Sequence, residues 1–270
     1  MAGSGDVFEI TRFEVGKRVR GTLVLTGALV LLIALYVALF PSIESAGIDL
    51  DAYIESLPEE TRRAFVGNVT TITTIDGYMA SQFYQLTWLL VLGVYYAYAA
   101  ASSVASEVEN GTLELVLAHP VSRSRLVVGK FFALVPSMVA VNVFSYVAVY
   151  VGVDYIGEYI DPVDLFALHA YSMGYLLACA SVGMVASVVF DSARRAQTAA
   201  IGSVFGMYLV DSLTFDTDYE WVGDVAFTRY YDVGAILTEG EVAWSDLAVL
   251  VAATVLLLIA SAELFERTDV

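Results

Sequence analysis

Four stretches of this chain run for about 20 residues or more without a charged side chain. Residues 21–40 read GTLVLTGALVLLIALYVALF, and residues 82–105 read QFYQLTWLLVLGVYYAYAAASSVA. Residues 131–153 read FFALVPSMVAVNVFSYVAVYVGV, and residues 165–190 read LFALHAYSMGYLLACASVGMVASVVF. Each is long enough to cross ~30 Å of hydrocarbon as a helix. Two shorter runs, 196–210 and 247–262, reach that length only with their flanking Tyr, Trp and polar residues. Hydrophobic residues make up 58% of the 270-residue chain, against about 45–50% apolar residues in soluble domains. The chain therefore reads as all-α: one polytopic membrane domain over 1–270 with six transmembrane helices. The spans fall at about 21–40, 82–105, 131–153, 165–190, 196–212 and 244–263. For the two short runs, a buried or re-entrant helix is the alternative. No small-residue cleavage site follows the charged start, so the first span reads as a retained helix.

Charge sets the orientation. With a cytoplasmic N-terminus, Arg12, Lys17, Arg18, Arg20, Arg123, Arg125, Lys130, Arg194, Arg195 and Arg267 lie inside, and Arg62, Arg63 and Arg229 lie outside. Basic residues concentrate on the cytoplasmic side. Both termini are thus expected in the cytoplasm, with residues 41–81 and 211–243 as outer loops. Of the two sequons, Asn68-Val69-Thr70 then lies outside and Asn110-Gly111-Thr112 inside. The formal net charge of −17 comes from 30 acids against 13 bases. Most of the acids fall in the outer segments, and only Lys17 and Lys130 are lysines. Such a surface fits a protein that stays hydrated in high salt, which suggests a halophile; the alternative is an acidic vestibule for a cationic substrate.

Several chemistries lack their signature. The chain has no HExxH, no GxSxG and no GxxxxGK[ST], so it offers no zinc-protease site, no nucleophile elbow and no phosphate-cradling P-loop. His119 and His169 fall near opposite membrane surfaces, with His169 expected at the interface. Cys179 reads as a small packing residue within a span. Proton- or ion-coupled transport calls for ionisable residues at membrane depth, yet the middle of every span is uncharged. Gly202 and Gly206 form a GxxxG spacing, read first as helix packing and second as dimerisation. If the chain moves a substrate, its energy comes from elsewhere.

The charged stretch between the second and third spans, SEVENGTLELVLAHPVSRSRLVVGKF over 106–131, is where such a source would attach. Asn110-Gly111 signals a turn, and Asn110 or Thr112 suits a helix cap. Leu113, Val116 and Leu117 share one helical face. Pro120 stops that helix, and Ser122 suits the next cap. The pattern predicts a short amphipathic helix along the membrane surface, either a connector that anchors the loop or a docking element.

This stretch resembles the E-x-E-x-G-T-L-E-x-L-L-x-x-P-V-S-R-x-x-L-x-x-G-K signature of the type 2 ABC-transporter permeases, the exporter-type integral membrane subunits. Matching residues are Glu107, Glu109, Gly111, Thr112, Leu113, Glu114, Leu115, Leu117, Pro120, Val121, Ser122, Arg123, Leu126, Gly129 and Lys130. DGYMASQFYQL over 76–86 is similar to the family's lead into the second span. The terminal FERTDV is similar to its FERRD-type tail, with Thr268 in place of a second basic residue. The resemblance covers the whole chain. It implies a non-catalytic permease that binds no cofactor or metal, with ATP and Mg²⁺ held by a separate ABC ATPase subunit. It also implies a second permease copy, as a homodimer or heterodimer, in the plasma membrane, and no nucleic acid. The loop 106–130 then contains a coupling helix, with Glu107, Glu109, Gly111, Thr112, Leu113, Glu114, Val116, Leu117, Pro120 and Arg123 as the ATPase-coupling residues. Residues 7–20, amphipathic and basic, correspond to an elbow helix. Tyr95, Tyr96, Tyr98 and Asn142 are candidates for a substrate path, with helix packing as the other reading of the tyrosines. The rival function is a non-transporting assembly or sensory subunit that binds a partner through the same loop.

Overall fold

The computed structural model of the chain describes residues 5–45, 52, 56–57, 61–62, 69, 71–112 and 122–267. Every regular element among them is helical. Helix α1 (Gly5–Glu44) has 40 residues, about 60 Å at 1.5 Å per residue, roughly twice the hydrocarbon thickness. Residues 7–20, expected as a separate elbow helix, run into the first span without a break. The local reason is plain: the only proline in α1 is Pro41, near its end, and Gly16 and Gly21 keep helical backbone with open space beside them.

Helix α2 spans Ile75–Glu109. It opens on a turn capped by Thr74, whose Oγ1 accepts from the Gly77 amide at 3.3 Å. It continues as a wide π-helical stretch, Met79–Leu92, and closes as an α-helix from Gly93. The wide stretch carries Phe83, Tyr84 and Trp88, all fully buried and in mutual ring contact. Helix α3 (Arg123–Phe132) is separated from α4 (Val135–Tyr155) by a turn at Ala133 and Leu134, and Pro136 lies in the first turn of α4. Helix α5 (Pro162–Val189) starts on Asp161, whose carboxylate accepts from the Val163 and Asp164 amides at 2.7 and 3.3 Å. Helix α6 (Ala193–Thr214) follows. Two short 3₁₀ turns, Glu220–Val225 and Phe227–Tyr230, then lead to α7 (Val233–Glu239) and α8 (Trp244–Arg267).

Helix α5 is the centre of the bundle and packs against α2, α4, α6 and α8. Small residues make this possible. A Cβ at Gly183 would lie 2.0 Å from the carbonyl oxygen of Ala97, so α2 and α5 touch backbone to side. Ser187 of α5 accepts from the Val104 and Ala105 amides at 2.8 and 3.1 Å. Large apolar side chains such as Leu23, Leu31, Phe144, Leu256 and Ile259 point outward, an arrangement that suits lipid as the surrounding solvent.

Among the described residues, five helical stretches are long and apolar enough to cross a membrane: Val7–Ile43, Ile75–Glu109, Arg123–Tyr155, Pro162–Val189 and Trp244–Arg267. The expected fifth span, 196–212, is not one of them. Its helix α6 has 22 residues, but Arg194, Arg195, Gln197 and Asp211 dilute its apolar character. Among the described residues none closes on Gly202 or Gly206, so the packing expected of the GxxxG pair is not seen among them. The expected outer loop 211–243 is folded. Tyr231 stacks on Tyr171 and Tyr175, with ring centroids 5.7 and 5.5 Å apart, and closes one end of the bundle.

Candidate functional site

The two ends of the 106–130 stretch meet at a buried ionic cluster. Near the end of α2, Glu107 Oε1 accepts from Lys130 Nζ of α3 at 2.7 Å. The same ammonium lies 3.3 Å from Glu14 of α1, which also accepts from Lys17 at 2.8 Å. The Lys130 side chain is 2% exposed, and those of Glu14 and Glu107 are 9% and 15% exposed. Two carboxylates thus face the buried ammonium of Lys130, with the half-exposed Lys17 at the rim, and removal of Lys130 leaves the carboxylates uncompensated. Gly129 explains how α1 comes so near. A Cβ there would lie 2.8 Å from Ile10 Cγ2, and its carbonyl accepts from Thr11 Oγ1 at 3.1 Å. The Gly-Lys pair of the signature therefore has two roles, close approach and charge.

Other signature residues fasten neighbouring helices. Glu109 Oε2 accepts from the Ala193 amide at 2.9 Å, so a residue of α2 satisfies an open donor at the first turn of α6. Arg123 Nη1 donates to the Phe265 carbonyl at 3.4 Å, and its guanidinium sits 5.6 Å from that ring. Ser124 donates to Glu266 beside it. Gly111 has φ of +64° and ends α2 in a Schellman motif: its amide bonds to the Val108 carbonyl at 3.1 Å, and the Thr112 amide bonds to the Glu107 carbonyl at 3.0 Å. The Asn-Gly pair thus closes the helix before it, where the sequence suggested a cap for the helix after it. Leu113, Glu114, Val116, Leu117 and Pro120 lie outside the described residues, as does His119.

The residues named for a substrate path are scattered. Tyr96 is fully buried, with its hydroxyl 3.2 Å from Ser137 Oγ; Tyr95 is half-buried against it and Tyr98 faces outward. Asn142 lies inside the subunit. Its Oδ1 accepts from Ser172 Oγ at 2.7 Å and faces His169 Nδ1 at 3.1 Å. Its amide donates to the Met138 carbonyl at 2.9 Å, which fixes Oδ1 as the atom facing the imidazole. Nδ1 is therefore the protonated ring nitrogen, and Nε2 accepts from Tyr84 at 2.9 Å. His169 was expected at the interface; it is buried instead, because Tyr84, Asn142 and the Trp88 ring give it partners there. No signal in the sequence pairs residues so far apart.

At the end away from the 106–130 stretch, a cleft of about 250 Å³ opens between α2, α6 and the folded outer segment. Asp211, Glu220, Thr228 and Arg229 are part of its wall. Arg229 pairs with Asp224 at 2.6 Å and Asp211 at 3.3 Å. Partial burial disfavours its charge, but these carboxylates outweigh that and hold the guanidinium above its ordinary pKa.

The whole chain also matches a known family. Residues 9–270 fit the model of the ABC-2 family transporter proteins. The chain belongs to the ABC-2 transporter family. Among curated proteins no relative matches it. The ABC-2 assignment and the apolar helices together make it a multi-pass membrane protein and a transport component. Among the described signature residues, Glu107, Gly129 and Lys130 form a buried joint with α1, and Glu109 and Arg123 tie the same end of the bundle to α6 and α8.

Proposed function

We propose that the chain is the permease subunit of an ATP-driven exporter, coupled to a separate ABC ATPase through residues 106–130. The observation that carries this reading is the Glu14–Lys130–Glu107 cluster, which clamps both ends of that stretch to α1. A push on the stretch would reach α1 through Lys130, α6 through Glu109 and α8 through Arg123. A loop that merely connects two spans needs no such joint. In this reading Leu113, Val116 and Leu117 form the apolar face that enters a groove on the ATPase, with Glu109 and Glu114 beside it. ATP and Mg²⁺ are held by the ATPase.

The permease works in the plasma membrane as a homodimer or heterodimer with two ATPase subunits, and the substrate path lies between the two permease copies. Helix α6 is the fifth of six spans and both termini are cytoplasmic. The charge pattern supports this orientation, because ten of the 13 basic residues then lie inside. An acidic, lysine-poor surface supports a halophilic source.

The test is reconstitution in liposomes. The chain alone should hydrolyse no ATP, and the chain with its ATPase should hydrolyse ATP at a rate that substrate raises. Robust hydrolysis by the isolated, contaminant-free chain would refute a separate motor.

A further inference from the structure

Beside the loop one cation stands outside the ion pairs. Glu14 and Glu107 face Lys17 and Lys130, carboxylate for ammonium. Arg18 lies next to this cluster, within the field of Glu14 but outside its salt bridges. Its Nη2 donates to Ser103 Oγ at 2.9 Å, its Nε is buried without a partner, and among the described residues it forms no ion pair. A desolvated guanidinium of this kind favours an anion.

Arg18 lines a cleft of about 150 Å³ between α1 and the start of α4. Ser137 is on its far wall, and Val19, Leu23 and Pro136 form an apolar lip. Val19 and Leu23 are 47% and 66% exposed. The cation therefore sits where the uncharged run 21–40 begins, at headgroup depth, with apolar surface leading from it toward the hydrocarbon.

We propose that this cleft binds an anionic lipid from the leaflet next to the 106–130 stretch. The Arg18 guanidinium takes the headgroup phosphate, and the acyl chain lies along Val19 and Leu23. Charge complementarity selects an anion, because a basic pocket between membrane helices suits an acidic headgroup and a planar guanidinium suits phosphate. The apolar lip selects a lipid over a free phosphate, which would have to leave water beside hydrocarbon. The inference stands apart from the transport reading and needs only the membrane location.

Native mass spectrometry of the full chain, with phosphatidylglycerol or phosphatidylcholine added to the detergent, tests it. The wild type should retain phosphatidylglycerol and not phosphatidylcholine. Arg18→Gln should lower that retention about fivefold or more, whereas Arg20→Gln, a neighbouring exposed cation, should keep it. Leu23→Trp, at the exposed lip, should block the lipid without touching the guanidinium, and it decides the matter if Arg18→Gln fails to insert. Equal retention of both lipids would overturn the proposal, as would unchanged retention in Leu23→Trp. So would inorganic phosphate protecting the chain from thermal unfolding as well as phosphatidylglycerol does.

Discussion

At the scale of single residues, the described part of the loop signature is a set of fastenings. Glu107, Glu109, Gly111, Arg123, Gly129 and Lys130 have structural partners within the chain. Lys130 matters most, because it answers two carboxylates at once. A buried ion pair is weak evidence for net stability, since desolvation offsets attraction, but removing one partner costs about 3–5 kcal/mol. Lys130→Met should therefore lower unfolding stability by that order. Glu109→Ala, which frees the exposed Ala193 amide and the Ser192 hydroxyl, should cost about 1 kcal/mol. Thermal or denaturant unfolding in detergent checks both, and equal effects from the two variants would contradict the cluster's special place. The types and spacing of these residues were legible in the sequence. Their partners were not: Glu14 lies 116 positions from Lys130, and no local pattern links them.

At the scale of elements, the hydrophobic runs marked five of the six expected spans, because hydropathy is a local property that the bilayer reads directly. They did not mark boundaries set by continuity or tertiary contact. Helix α1 carries its basic start into the span because nothing in it breaks a helix. The segment after α6 folds because Tyr231 finds Tyr171 and Tyr175, a stack no periodicity announces. His169 escaped for the same reason, its partners coming from α2 and α4. Helix α6 is the element whose membrane role is still to be measured. In a Cys179→Ser background, cysteines at Ser192 and Asp218 flank it. If α6 crosses the bilayer, an impermeant thiol reagent labels them from opposite sides. Cysteines at Ser56 and Ser122 should likewise differ in sidedness. Labelling of Ser192 and Asp218 from one side would reduce α6 to a surface or re-entrant helix.

At the scale of the whole molecule, the bundle is asymmetric. One end is closed by a folded acidic cap over a polar cleft. The other gathers basic residues around a buried joint of α1, α2 and α3, to which Glu109 and Arg123 tie α6 and α8. That asymmetry suits a machine driven from the end that bears the 106–130 stretch. Coupled transport requires that this stretch receive a motor. The direct measurement is co-purification of an ABC ATPase, expressed with the full chain, by wild type, Leu113→Asp and Leu117→Asp. An apolar side chain of this size contributes about 1.5–3 kcal/mol when buried, and a charge in its place is desolvated without a partner. The wild type should retain the ATPase. At least one variant, though inserted and folded, should lose the ATPase together with ATP-driven transport. Full retention of the ATPase by both variants, with normal transport, would show that the stretch is only a connector.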